Sequence, residues 1–123
     1  MAASSATDLI RMFSDYFSAG DIDGLMGLYE KDAVFPNHHG TFKGAAQIRP
    51  VLQGYINSGA AIAFNRQVAF ETSDLALVQN GWTLTTSGGE KFTGVSVEVA
   101  RKQPDGTWKY AIDSPDGAAL LHD

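Results

Sequence analysis

Apolar residues recur with two different periods along the chain, and the change of period divides it into two halves. Leu9, Ile10, Phe13, Tyr16 and Phe17 fall at the three- and four-residue intervals that gather on one face of an α-helix. Ser5 or Thr7 offers a side-chain oxygen to cap the start of that helix, and Gly20 supplies the left-handed residue that ends it. A short second helix is expected from about Asp23, capped by Asp21 or Asp23, with Leu25, Met26, Leu28 and Tyr29 inward. Residues 33–37 read as a strand, followed by a turn at His39-Gly40. A third helix is expected over residues 45–57, with Ile48, Val51, Leu52 and Tyr55 inward. Pro50 removes a backbone donor inside it, which predicts a kink or a start delayed to about Arg49.

From about residue 61 to 112 the period falls to two. Long strands are separated by short turns at Ser73-Asp74, Ser87-Gly88-Gly89-Glu90 and Gln103-Pro104-Asp105-Gly106. Such short connections make hairpins, hence an antiparallel meander whose inner face the N-terminal helices must cover. The expected class is α+β, a single domain over residues 1–123 with an ordered core from about 6 to 116. Alternation places Val95, Val97 and Val99 on one face and Gly94, Ser96, Glu98 and Ala100 on the other. In the last strand it groups Trp108, Tyr110 and Ile112 opposite Lys109, Ala111 and Asp113. Both sheet faces thus carry apolar residues, which predicts a second subunit over one of them, a homodimer.

Composition narrows the chemistry. With 44% hydrophobic and 19% charged residues the chain is expected to fold, and no stretch is long and apolar enough to span a membrane. Residues 1–8 lack the basic and apolar regions of a secretory leader, and the chain has no cysteine, so a cytoplasmic location is expected. The same absence excludes disulfides, thiolate metal sites and cysteine nucleophiles. A net charge of −5, with only nine scattered Lys and Arg, argues against nucleic acid as a partner. No glycine-rich phosphate loop and no serine-nucleophile elbow occur, and no cofactor is expected.

Several local signatures then align in order. Ala19-Gly20-Asp21-Ile22-Asp23 leads to Leu28-Tyr29 and to Asp32-Ala33-Val34-Phe35; residues 44–48 open a helix; Asp74-Leu75-Ala76-Leu77-Val78 precedes Trp82; and residues 108–115 close the set. From about residue 8 to 116 the chain resembles the nuclear transport factor 2-like superfamily, particularly its SnoaL-like (polyketide cyclase-like) and ketosteroid isomerase-like members. The resemblance implies a cone-shaped, curved antiparallel sheet wrapped around N-terminal helices, an internal pocket and frequent homodimers. It leaves the reaction open, because isomerases, cyclases, dehydratases, hydrolases and non-catalytic binding domains share that fold. Ketosteroid isomerases use an Asp base with a Tyr and a protonated Asp as hydrogen-bond donors. By the resemblance, the Tyr falls on Phe13, the base on Asn37 and the protonated Asp on Glu98. Only the last keeps a group able to do the work, so that isomerase mechanism is disfavoured.

Glu98 and Asp113 are the leading catalytic candidates, since paired strands in the expected register bring both to the concave face, where apolar surroundings raise a carboxyl pKa. The competing readings are a rim ion pair for Glu98 and a turn cap beside Ser114-Pro115 for Asp113. His39 is a candidate acid or base at the pocket edge, against an exposed turn histidine. His38 and His39 point to opposite faces of a strand and His122 is remote, so no metal site is expected. Asn37 is a candidate ligand-orienting amide, against a strand end bonding its own backbone. Phe13, Tyr16, Phe17, Phe35 and Trp82 are candidates to line a cavity for a small apolar molecule, or else to fill it. Arg66 and Lys43 read as solvated charges. Two functions follow: a cofactor-independent isomerase, cyclase or lyase using pocket carboxyls, or a non-catalytic ligand-binding or dimerisation domain.

Overall fold

In the computed structural model, which describes residues 3–121, helix α1 spans Asp8–Ala19 and a one-turn helix α2 spans Ile22–Met26. The Ser5 hydroxyl takes the Asp8 backbone N–H at 3.2 Å, whereas Thr7 makes no side-chain cap, so of the two candidates Ser5 acts. Gly20 closes α1 at φ 68°, a conformation that costs glycine little because it has no Cβ. Asp21 caps α2 by accepting from the Gly24 N–H at 2.9 Å.

Strand β1 then runs over Tyr29–Asn37, longer than the apolar pattern predicts, because Tyr29 opens the strand instead of closing the helix. A turn at His38-His39 returns the chain as β2, Gly40–Lys43, a strand that the sequence pattern does not predict. Helix α3 occupies Ala45–Asn57 throughout, and Pro50 does not delay its start to Arg49. Pro50 stands in the second turn, so only the bond to the Ala46 carbonyl is forgone, and packing of Ile48 and Leu52 holds the helix in place.

Four long strands follow: β3 Ala61–Glu71, β4 Leu75–Thr85, β5 Lys91–Lys102 and β6 Trp108–Ser114, each joined to the next as an antiparallel hairpin. The six strands form one curved sheet in the order β2-β1-β6-β5-β4-β3, with helices α1 and α3 against it. One pairing corrects the all-antiparallel expectation. β1 lies beside β6 in parallel, with Tyr29 opposite Tyr110 and Val34 opposite Ile112. The core, built from Leu9, Leu25, Phe35, Ile48, Leu52 and Val78 among others, fills the space between helices and sheet. A short 3-10 turn, Gly117–Leu120, ends the described chain. None of the described helices is long and apolar enough to cross a membrane.

A second correction lies in β6. Strict alternation groups Tyr110 with Ile112 and opposes both to Asp113. Instead Val99 faces Ile112 while Ala100 faces Tyr110, so Ala111 is an extra residue on β6, a β-bulge. The bulge resets the alternation: Tyr110 and Asp113 both turn inward, and Ile112 is turned out, 40% exposed.

Candidate functional site

A cavity of about 210 Å³ opens between the helices and the concave face of the sheet. Ile10, Phe13 and Phe17 of α1 and Leu52 and Tyr55 of α3 form one side; Phe35, Ile62, Phe64, Trp82 and Leu84 form the walls. Phe13 stacks on Phe17 at 5.9 Å between ring centroids and meets the Phe64 ring edge-on at 6.1 Å. Trp82 is held at both ends. Its indole N–H donates to the Pro115 carbonyl at 2.9 Å, and its six-membered ring lies over Gly94, where any Cβ would collide with it.

The polar end of the cavity belongs to β5 and β6. Glu98 and Asp113 are direct cross-strand partners, and the bulge at Ala111 brings the second of them inside with the first. Exposure of Glu98 is 2% and of Asp113 7%. The Tyr29 hydroxyl donates to Asp113 Oδ2 and the Asn80 amide to Glu98 Oε1, each at 2.5 Å. Asn80, itself fully buried, accepts from the Gln67 amide at 2.9 Å, which fixes its orientation. No Lys or Arg lines the cavity among the described residues.

These surroundings set the acidities. Burial pushes the Glu98 carboxyl well above the usual carboxylate range, and the charge of Asp113 pushes it further, against the hydrogen bonds from Ser96 and Asn80. Burial lifts Asp113 to about 6, and the bond from Tyr29 opposes the rise. Both carboxyls therefore hold their protons more tightly than a solvated carboxyl does. Burial, followed by the Asp113 charge, keeps the Tyr29 phenol protonated, so it stays a donor.

The other sequence candidates divide. Phe13, Phe17, Phe35 and Trp82 line the cavity with Glu98 and Asp113, whereas Tyr16, Asn37 and His39 lie off its lining. The Tyr16 ring packs over Gly24 between α1 and α2. Asn37 is buried one layer back: its amide donates to the Tyr55 hydroxyl at 2.9 Å, and its Oδ1 accepts from the His39 N–H at 2.8 Å. His39 itself sits exposed in the β1–β2 turn, and its neighbour His38 lies 3.5 Å from Asp116 at the cavity wall. His122 is outside the described residues. Arg66 is exposed on β3, and Lys43 on β2. Tyr29, Tyr55, Asn80 and Tyr110 are polar groups of the site that the apolar pattern hid, because each occupies a position counted as core or strand. An internal Asn on a buried strand face, as at Asn80, is the one signal available beforehand, since a buried amide needs a partner.

The family profile described as the SnoaL-like domain matches residues 10–111. No functionally curated protein matches the sequence. Among solved structures, a protein of unknown function with a cystatin-like fold from Nostoc punctiforme superposes with TM-score 0.78 at 14% identity, covering 93% of this chain and 92% of its own. A Shewanella frigidimarina protein provisionally described as a ketosteroid isomerase gives TM-score 0.79 at 13% identity, covering 87% and 90%. One from Novosphingobium aromaticivorans, provisionally described as an aromatic ring hydroxylase, gives 0.73 at 19%, covering 88% and 82%. At these identities the likeness shows the fold alone.

Proposed function

The chain belongs to the SnoaL-like domain family, and on that premise we propose that its single domain binds a small, largely apolar, aromatic or polycyclic molecule and exchanges protons with it. The observation that carries this reading is the adjacent buried pair of carboxyls, Glu98 and Asp113, at the polar end of an otherwise apolar cavity. Asp113 takes a proton from a carbon made acidic by a neighbouring carbonyl, and Glu98 supplies one; no cofactor is needed for such a step. Isomerisation, ring closure and elimination all fit that chemistry. Phe13, Phe17, Phe35 and Trp82 hold the ligand by apolar contact and exclude water, which strengthens the electrostatics of the pair.

The test uses 2-tetralone, a bicyclic ketone with acidic hydrogens beside its carbonyl. Purified protein in heavy water is expected to accelerate exchange of those hydrogens for deuterium, followed by proton NMR. Asp113→Asn is expected to abolish the acceleration, and Glu98→Gln to reduce it by about 10²-fold. Saturable binding of 2-tetralone without any acceleration would establish the second reading, a non-catalytic binding domain. That reading is favoured by one observation: Phe13, which the resemblance aligns with the family's tyrosine, presents no hydroxyl to the cavity.

The partner we assign is a second copy. Phe70, Leu77, Val99 and Ile112 stand in register across β3, β4, β5 and β6 on the convex face, turned away from the cavity. Phe70 is 62% exposed, and Leu77 and Val95 add to the same face. An apolar row four strands wide is costly to leave in water, and a self-complementary face is the usual way to cover it.

A further inference from the structure

Tyr55 belongs to none of the roles above, yet it lines the cavity from α3 with a hydroxyl whose oxygen is already engaged as an acceptor. Two contacts fix that phenol, and a third fixes one of its partners. Its ring packs against Phe35 at 6.4 Å between centroids, which sets the plane. Asn37 Nδ2 donates to its oxygen at 2.9 Å. The Asn37 amide is in turn oriented by the His39 N–H on its Oδ1 at 2.8 Å, so nitrogen, not oxygen, faces Tyr55. A phenol oxygen that accepts one bond keeps its proton for a second partner, and the acceptor pre-orients that proton.

We propose that Tyr55 is a ligand-anchoring donor that grips an oxygen acceptor of the bound molecule, a ketone or quinone carbonyl, with Asn37 as the positioning residue behind it. This rests on the reading of the cavity as a ligand site and deepens it by naming the group that grips the ligand's carbonyl oxygen. Burial raises the pKa of the Tyr55 phenol against the opposing bond from Asn37, and the Asp116 and Asp113 charges add to the rise, so the group is a protonated donor at neutral pH. A carboxylate-bearing ligand is disfavoured by the carboxyls Glu98, Asp113 and Asp116 along the same lining.

The experiment compares 2-tetralone with tetralin, the same bicycle without the oxygen, by calorimetry on wild type, Tyr55→Phe and Asn37→Ala. Wild type is expected to bind 2-tetralone about fivefold more tightly than tetralin, the worth of one net hydrogen bond. Tyr55→Phe is expected to erase that difference while leaving tetralin affinity unchanged, and Asn37→Ala to erase part of it. Infrared spectra supply a readout that loss of packing would not move: the carbonyl stretch of bound 2-tetralone lies lower in wild type and returns upward in Tyr55→Phe. Equal binding of the two probes by wild type, or an unchanged stretch in Tyr55→Phe, overturns the role of Tyr55 and leaves the cavity reading standing. Binding of neither probe overturns both.

Discussion

The two faces of the β3–β6 meander invert the usual arrangement. The concave face buries Glu98, Asp113 and Asn80, while the convex face leaves Phe70, Leu77, Val95 and Ile112 open. Both faces are built from the same strands, one residue apart, so neither composition nor propensity accounts for the difference. The concave side tolerates its carboxyls because each finds a donor, Tyr29 for Asp113 and Asn80 for Glu98. The convex side has no such local remedy. Its apolar row can be relieved only by another surface. A sheet of this kind carries two unlike surfaces, buried carboxyls on one side and an exposed apolar row on the other.

The contrast breaks most severely from the inside. Phe35→Ala removes a buried ring that is at once core and cavity wall, and is expected to cost about 3–5 kcal/mol in denaturant unfolding. Next comes the charge itself. Glu98 and Asp113 hold their protons more tightly folded than unfolded, so stability from this pair is full below about pH 4. It falls as pH rises through about 6 for Asp113, and ionisation of Glu98, whose pKa is raised as well, lowers it further. Asp113→Asn is therefore expected to flatten the decline and to gain on the order of 2 kcal/mol over wild type at pH 8, measured by urea titration across pH. A wild-type profile rising from pH 5 to 8, with no contribution from Asp113, would rule out the raised pKa of Asp113.

Gly94→Ala probes the cavity without touching the carboxyls. Its new methyl must displace the Trp82 indole from its seat, an overpacking worth about 1–3 kcal/mol, and 2-tetralone affinity should fall with it. The smallest effect on the fold is expected on the convex face. Leu77→Lys should change the stability of the subunit by about 0.5 kcal/mol or less, yet sedimentation velocity should find it monomeric where wild type is dimeric. A wild type that is monomeric at every concentration would leave the apolar row without the partner assigned to it.

Where the chain punctuates itself, its structure was legible beforehand. Gly20, the Asp21 cap and the three hairpin turns stand where their side-chain chemistry puts them, and α3 spans the residues expected of it. The misses share a cause: they depend on pairing between distant residues. Tyr29 reads as the end of a helix because its strand partner lies 81 positions away, at Tyr110. The bulge at Ala111 has no local marker, since Ala111 is neither glycine nor a turn former. Yet without it Asp113 faces away from the side that Tyr110 shares with the cavity. For the site, the carboxyl pair and four aromatic walls were readable from alternation and resemblance. The phenols were not, because a tyrosine at a core position looks like packing until its hydroxyl is given a partner.

The parallel seam between β1 and β6 has a further consequence, for the order in which the molecule is made. β1 is synthesised before the β6 strand, so the seam that joins the two halves of the sheet cannot close until β6 has emerged from the ribosome. The meander of β3, β4 and β5 can pair as it appears; β1 must wait with one edge bare, capped on its other side only by β2. Closure over so long a loop is slow. The same pairing brings the Tyr29 hydroxyl to Asp113, so the contact that joins the two halves of the sheet also gives the buried carboxyl its donor.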